Sequence, residues 1–435
     1  MTLTLTVPSP VADTRLATLP IAVIGAGPVG LAAAAHLTER GLDVVVFEAG
    51  RRAGSAVGEW AHVRLFSPWS MLVDAASVRL LEADGWSAPD REHSPTGGEL
   101  IDSYLAPLAR TPALAGRIRL GHRVTAVSRQ GLDRTRSAAR AATPFLLRVE
   151  SEGRVSDVLA RAVIDTSGTW GSPNPITAAG LGPTCDVVAD RIVGGLPDVL
   201  GRDRARFAGS TVLVVGAGHS AAGTLLALDR LAEAEPDTRI SWAIRNSSAV
   251  RVLTGDDDQL PGRASIGQRV DALVRAGRIE LIDRFEIDDV VATADGVRAL
   301  GRRAGEPAVL DAQAIVNATG FRPDLELLRE IRLGLDEVVE APRGLAPLID
   351  PNLHSCGTVP PHGVAELTHP EPGFFIAGMK SYGRAPTFLL ATGYEQVRSI
   401  AADLAGDHAA ARLVSLVLPE TGVCSTTSTG EACCR

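Results

Sequence analysis

The stretch that most constrains this chain runs from Ile21 to Glu48 and reads I-A-V-I-G-A-G-P-V-G-L-A-A-A-A-H-L-T-E-R-G-L-D-V-V-V-F-E. A short apolar run with β-branched Ile21, Val23 and Ile24 leads directly into G-x-G-x-x-G at Gly25, Gly27 and Gly30, and a Leu/Ala stretch follows, so the order is strand, turn, helix. Gly25 permits the tight turn, Gly27 lets the backbone approach a pyrophosphate, and Gly30 allows helix-on-strand packing; with Pro28 and Val29 these residues place a helix N-terminus against phosphate charge. Gly41 stops the helix, Val44 to Phe47 form a second buried strand, and Glu48 ends it where a carboxylate can accept hydrogen bonds from ribose hydroxyls. This is a dinucleotide site.

The chain has 435 residues, of which 45% are hydrophobic and 22% charged, enough for two or three domains with large cores. Its formal net charge of −8 would repel phosphate backbones, which excludes nucleic acid and anionic membranes as partners and leaves a small-molecule substrate. Five cysteines in a long chain argue against a disulfide framework and for a reducing, cytoplasmic setting. There is no basic leader with an apolar core, and no apolar run long enough to span a membrane.

In chain order, residues 1–19 read as a flexible lead-in. Between Ala49 and Trp86 stand Trp60, Trp69 and Trp86, which either wall a flat ring or pack against neighbouring helices. Glu99 to Leu108 predicts a helix, and Phe145 to Val149 with Val155 to Leu159 predicts a hairpin; the Arg-rich stretch before the hairpin reads as a solvated loop. Ala162 to Gly168 is an apolar strand ending in a small-residue turn.

A second fingerprint follows at Thr211 to Leu228, with Gly216, Gly218, His219, Ser220 and Ala221 at the turn, the third position tolerating Ala. Its next strand ends in Arg245-Asn246-Ser247-Ser248 and not in an acid, so the adenosine pocket is cationic and favours NADPH over NADH. Ala314 to Pro323 again ends a strand in a small-residue turn at Gly320, and Gly373 to Met379 adds one more buried strand closed by Gly378 and Met379, with a helix from Thr387 to Ala402 behind it. The expected fold is α/β: two Rossmann-like three-layer dinucleotide-binding domains, the NADPH domain inserted into the FAD domain. The boundaries are 20–195 for the first part of the FAD domain, 196–312 for the NAD(P)H domain, 313–414 for the second part, and 415–435 for a flexible tail.

G-A-G-P-V-G with Glu48, G-A-G-H-S-A, N-A-T-G-F-R-P and I-A-G-M together resemble the flavoproteins that bind two dinucleotides, especially the flavin-containing and Baeyer–Villiger-like monooxygenases. The resemblance implies FAD at Gly25, Gly27, Gly30 and Glu48, and NADPH at Gly216, Gly218, Ser220 and Arg245, with Gly168 and Gly320 in interdomain hinges. Phe207-Ala-Gly209 departs from the F-x-G-x-x-x-H those monooxygenases carry, since no His follows. W-A-H-V-R-L-F-S-P-W and K-S-Y-G-R-A-P-T-F look closer to flavoproteins that accompany bacterial arsenic-resistance genes.

The tail ends with Cys424, Cys433 and Cys434, three thiols able to converge on a soft ion, and resembles the metal-delivery tail of mercuric reductases; Cys356 reads as a buried structural thiol. A thiophilic metalloid and a second copy of the chain are thus left open as partners. No C-x-x-C or C-x-x-x-x-C pair exists, so a dithiol reductase lacks its central part. The function expected is an FAD-dependent, NADPH-using monooxygenase acting on a sulfur, nitrogen or arsenic centre, with a reductase as the alternative and no catalytic residue assigned. A nucleotide sensor would need one site, not two.

Overall fold

The computed structural model describes residues 14–249, 261–353, 359–386, 388–414 and 416. Both fingerprints form as the glycine spacing requires. The first contributes β1 (Ile21–Ile24), α1 (Pro28–Glu39) and β2 (Val44–Glu48), and β3 (Ile118–Leu120) pairs beyond β2. A meander then runs through β4 (Arg123–Arg129), β5 (Phe145–Ser151) and β6 (Arg154–Ala160) before β7 (Ala162–Asp165) returns to the sheet on the other side of β1.

The second unit repeats this plan. After β8 (Ile192–Gly194) come β9 (Thr211–Val215), α2 (His219–Ala234), β10 (Arg239–Ala243), α3 (Pro261–Arg275) and β11 (Glu280–Ile282). A second meander of β12 (Phe285–Ala292), β13 (Val297–Arg303) and β14 (Glu306–Ala312) leads to β15 (Ala314–Asn317). Finally β16 (Phe374–Ile376) and α4 (Leu390–Leu404) rejoin the first unit. The two parallel sheets have the orders β16-β7-β1-β2-β3 and β11-β10-β9-β15-β8. Everything from β8 to β15 therefore lies within the first unit's chain, an insertion, as expected. The boundaries shift, because β8 and β15 pair in the second sheet although both fall outside 196–312.

Side-chain alternation explains the three layers. Along β1, Ile21 and Val23 face the helix layer with Leu31 and Val397, while Ala22 and Ile24 face the meander with Val127, Phe145 and Leu147. Val212 and Val214 of β9 likewise meet α2, and Leu213 and Val215 meet the second meander. A parallel strand buried on both faces must be apolar throughout, which is why neither β1 nor β9 alternates in sequence.

Two expectations change on the buried side chains. The Arg-rich loop is not wholly solvated: Arg140 is 4% exposed and, with buried Arg129, donates to Glu371, while Arg129 also lies 3.5 Å from the centre of the Phe145 ring. These residues bind the first meander to the start of β16. The helix expected at 99–108 contains a π turn at Ile101–Leu105, just before Pro107. Pro107 has no N–H to give the Ser103 carbonyl, and the indole N–H of Trp86 donates to that oxygen instead at 2.8 Å. Trp86 is thus a structural donor and Trp69 a core residue, 3% exposed. No helix among the described residues is long and apolar enough to cross a membrane.

Candidate functional site

In each sheet the strand order reverses beside the central strand, β1 in one and β9 in the other, and the glycine turn lies at that strand's carboxyl end, where open α/β sheets receive ligands. The glycines of the first turn divide into two kinds. Gly25 has φ +98°, and a Cβ there would stand 2.9 Å from the Thr166 carbonyl oxygen; a Cβ on Gly30 would stand 1.9 Å from the Gly25 carbonyl oxygen. Both are demanded by the protein itself. Gly27 has an ordinary extended backbone, and a Cβ there would meet nothing within 4 Å. Its hydrogen atoms are required only if something else occupies that space.

The rest of the first turn suits an anion. α1 begins at Pro28 with no side chain capping it, so no capping side chain satisfies the positive dipole end of the helix. Glu48 accepts from the Ala26 and Gly50 amides, each at 2.8 Å, which fixes the loop and leaves lone pairs for ribose hydroxyls. Val29 packs against the closing segment: a Cβ on Gly378 would lie 3.3 Å from it and one on Gly393, in α4, 2.7 Å. Met379 is half-buried beside Gly378. Trp60 lies over Gly97, where a Cβ would come within 2.8 Å of the indole, and packs on the helix-side core.

Sequence reasoning missed the polar groups beneath this turn. The Gly378 amide donates to Gln396 Oε1 at 2.8 Å, and Gln396 Nε2 donates to Ser381 Oγ and to His362 Nε2, both at 2.9 Å. His362 is therefore neutral, its Nδ1–H donating to the Pro360 carbonyl; burial lowers its pKa in the same direction. Lys380 Nζ donates to Asp165 Oδ2 at 2.7 Å, both side chains fully buried.

The second turn repeats the division. Gly216 has φ +131° and a Cβ there would strike the Ala318 carbonyl at 2.2 Å; Gly218, ahead of the uncapped α2, has nothing within 4 Å. Ala221 is fully buried at the third position. The Trp242 indole N–H, also unanticipated, holds the Gly216 carbonyl at 2.7 Å. His219, at the start of α2, packs against Phe66 of the first unit with ring centres 5.4 Å apart and ring planes tilted by 46°, and Ser220 is half-buried. Arg245 is exposed just past β10, followed by exposed Asn246, Ser247 and Ser248. Both turns thus fit a dinucleotide, and the strand after the second turn is followed by an exposed arginine.

The chain crosses between units twice, and the crossings pair. Pro173 and Phe321 form an antiparallel bridge, the Asn174 amide donates to Gly320 O and the Arg322 amide to Ser172 O, each at 2.9 Å. Gly168 (φ +72°) and Gly320 (φ +96°) lie in these crossings. Elsewhere a cleft of about 790 Å³ opens between β2, β3 and the first meander, lined by Arg117, Arg119 and His122; neither glycine turn lines it. Among the described residues no group of His, Cys, Asp or Glu could hold a metal ion. Cys356, Cys424, Cys433 and Cys434 lie outside the described residues.

If Arg245 reads a 2′-phosphate, Arg245→Ala should weaken NADPH by about 1.5–3 kcal/mol and NADH hardly at all. Titration of both coenzymes checks this; equal losses would show that Arg245 does not read the phosphate.

No curated protein sequence matches the chain. Among solved structures, it is similar to a bacillithiol disulfide reductase from Bacillus cereus, at 18% identity, with 89% of this chain and 99% of that one covered and a TM-score of 0.65. It is similar to the cadaverine monooxygenase of desferrioxamine biosynthesis from Erwinia amylovora, at 15% identity, 95% and 99% coverage and a TM-score of 0.62. A flavin monooxygenase from Stenotrophomonas maltophilia matches at 22% identity, 89% and 98% coverage and a TM-score of 0.57. These likenesses agree with the paired-turn fold. The sequence model of the pyridine nucleotide-disulphide oxidoreductases matches residues 22–344, through both turns, and the chain belongs to that family.

Proposed function

We propose that this oxidoreductase uses FAD and NADPH as a monooxygenase, oxygenating a sulfur, nitrogen or arsenic centre in a small molecule. In this reading FAD lies on Gly25, Gly27, Pro28, Val29, Gly30 and Glu48, with Trp60, Gly168, Gly378 and Met379 beside it. NADPH lies on Gly216, Gly218, His219, Ser220, Ala221 and Arg245, next to Gly320. The observation that carries the two-cofactor reading is the paired open positions at Gly27 and Gly218, each ahead of an uncapped helix. Bound flavin supplies the redox chemistry, and the chain's part is to bind, orient and exclude water. α1 and α2 offer their N-terminal amides to phosphate, Glu48 holds a ribose while pinning its own loop, and Arg245 selects the coenzyme.

Oxygenation is favoured over reduction because the sequence has no spaced cysteine pair to pass electrons through, and because several structures of like fold are monooxygenases. An ornithine N-hydroxylase from Kutzneria is another of them. The reductase reading rests on the likeness to a disulfide reductase and on Cys424, Cys433 and Cys434, which could present a thiophilic substrate such as arsenite. The test is turnover with NADPH under ¹⁸O₂ in the presence of ornithine, cadaverine, a thioether or arsenite. Incorporation of one ¹⁸O atom into any of them supports oxygenation. NADPH oxidation matched mole for mole by labelled peroxide, with none of these altered, contradicts it.

A further inference from the structure

Lys380 is the only lysine in the sequence; every other member of the 43 Lys and Arg residues is Arg. It is also one of the most completely buried side chains, 1% exposed, with Asp165 at 0%. A buried ion pair contributes little stability over an apolar pair of equal volume, so stability alone does not explain this one. Its geometry does. Lys380 Nζ donates to Asp165 Oδ2 at 2.7 Å and to Ser167 Oγ at 3.1 Å, while Asp165 Oδ1 accepts the Ser167 amide at 3.0 Å. A compact ammonium can divide its protons between two oxygens in this way, whereas a planar guanidinium needs more room and a forked partner. Ser167 is exposed, and its Cα lies 3.1 Å from where a Cβ on Gly25 would stand, so it stands against the first glycine turn.

A serine hydroxyl has one proton to give. With a lone pair of Oγ engaged by Lys380, that proton is turned away from the buried pair, and among the described residues none accepts it. We propose that Lys380 is a positioning residue for the dinucleotide at the first turn: with Asp165 it orients Ser167, whose hydroxyl donates to a phosphate oxygen of that dinucleotide. This rests on the assignment of FAD to the first turn.

The test measures FAD affinity of apo-protein by flavin fluorescence, alongside its thermal transition without FAD. Ser167→Ala should leave the apo transition in place and weaken FAD about tenfold or more, the loss of one hydrogen bond to a charged group. The paired replacement Asp165→Leu with Lys380→Met, which removes both charges together, should weaken FAD similarly, and adding Ser167→Ala to it should cost nothing further. Lys380→Arg should not restore wild-type affinity. Ser167→Ala binding FAD as tightly as wild type overturns the proposal whether or not the paired variant folds. Full independent losses in the combined variant overturn it as well. Should Gly27→Val retain FAD, the assignment of FAD to this turn has failed, which the Ser167 comparison would not reveal.

Discussion

Gly27→Val is expected to yield a folded protein that purifies without flavin. The backbone at Gly27 (φ −79°, ψ −174°) is one that β-branched residues adopt readily, and a Cβ added there meets no described protein atom within 4 Å. Valine is a poor N-cap, which costs about 1 kcal/mol, far too little to unfold a two-unit protein. The added branch points into space where a ligand's phosphates would approach the turn. Gly30→Ala separates the two kinds of glycine, because its Cβ would lie 1.9 Å from the Gly25 carbonyl oxygen. That variant should lose stability and flavin together. Absorbance ratios and thermal transitions of the two variants check both statements; stoichiometric flavin on Gly27→Val would sink the assignment.

At the second turn the expected loss is a different one. Gly218→Val should keep its flavin, since nothing of the first turn changes, but should bind NADPH so weakly that reduction of the flavin slows by about a hundredfold or more at equal coenzyme concentration. The backbone there (φ −110°, ψ 177°) is again extended and tolerant. Stopped-flow reduction of wild type and variant under anaerobic conditions measures it. A variant reduced at the wild-type rate would place the coenzyme elsewhere.

What the sequence could and could not disclose follows from how far apart the interacting groups stand. The glycine turns, the helices behind them and the acid at Glu48 are local, each element being set by residues within a few positions, and their order alone implied the parallel strands. Membership of β8 and β15 in the second sheet was less accessible, because three- and four-residue apolar strands carry no label for the sheet they join. Lys380 and Asp165 are 215 residues apart, and Glu371 and Arg129 are 242 apart. Nothing in a lone Asp at a strand end or an Arg in a polar stretch distinguishes a buried pair from a solvated residue. The Trp86 indole was ambiguous for a related reason: its partner is a backbone carbonyl freed by Pro107, which composition does not reveal. A single missed signal was available, the uniqueness of Lys380 among so many arginines.

The most direct measurement is an anaerobic titration of the FAD-loaded protein with NADPH, followed by the flavin's visible absorbance. One site for each cofactor and hydride transfer between them require that the absorbance bleach with an end point of one NADPH per FAD, and that NADH reach it only at higher concentration. Flavin that stays oxidised in the presence of excess NADPH would contradict the account.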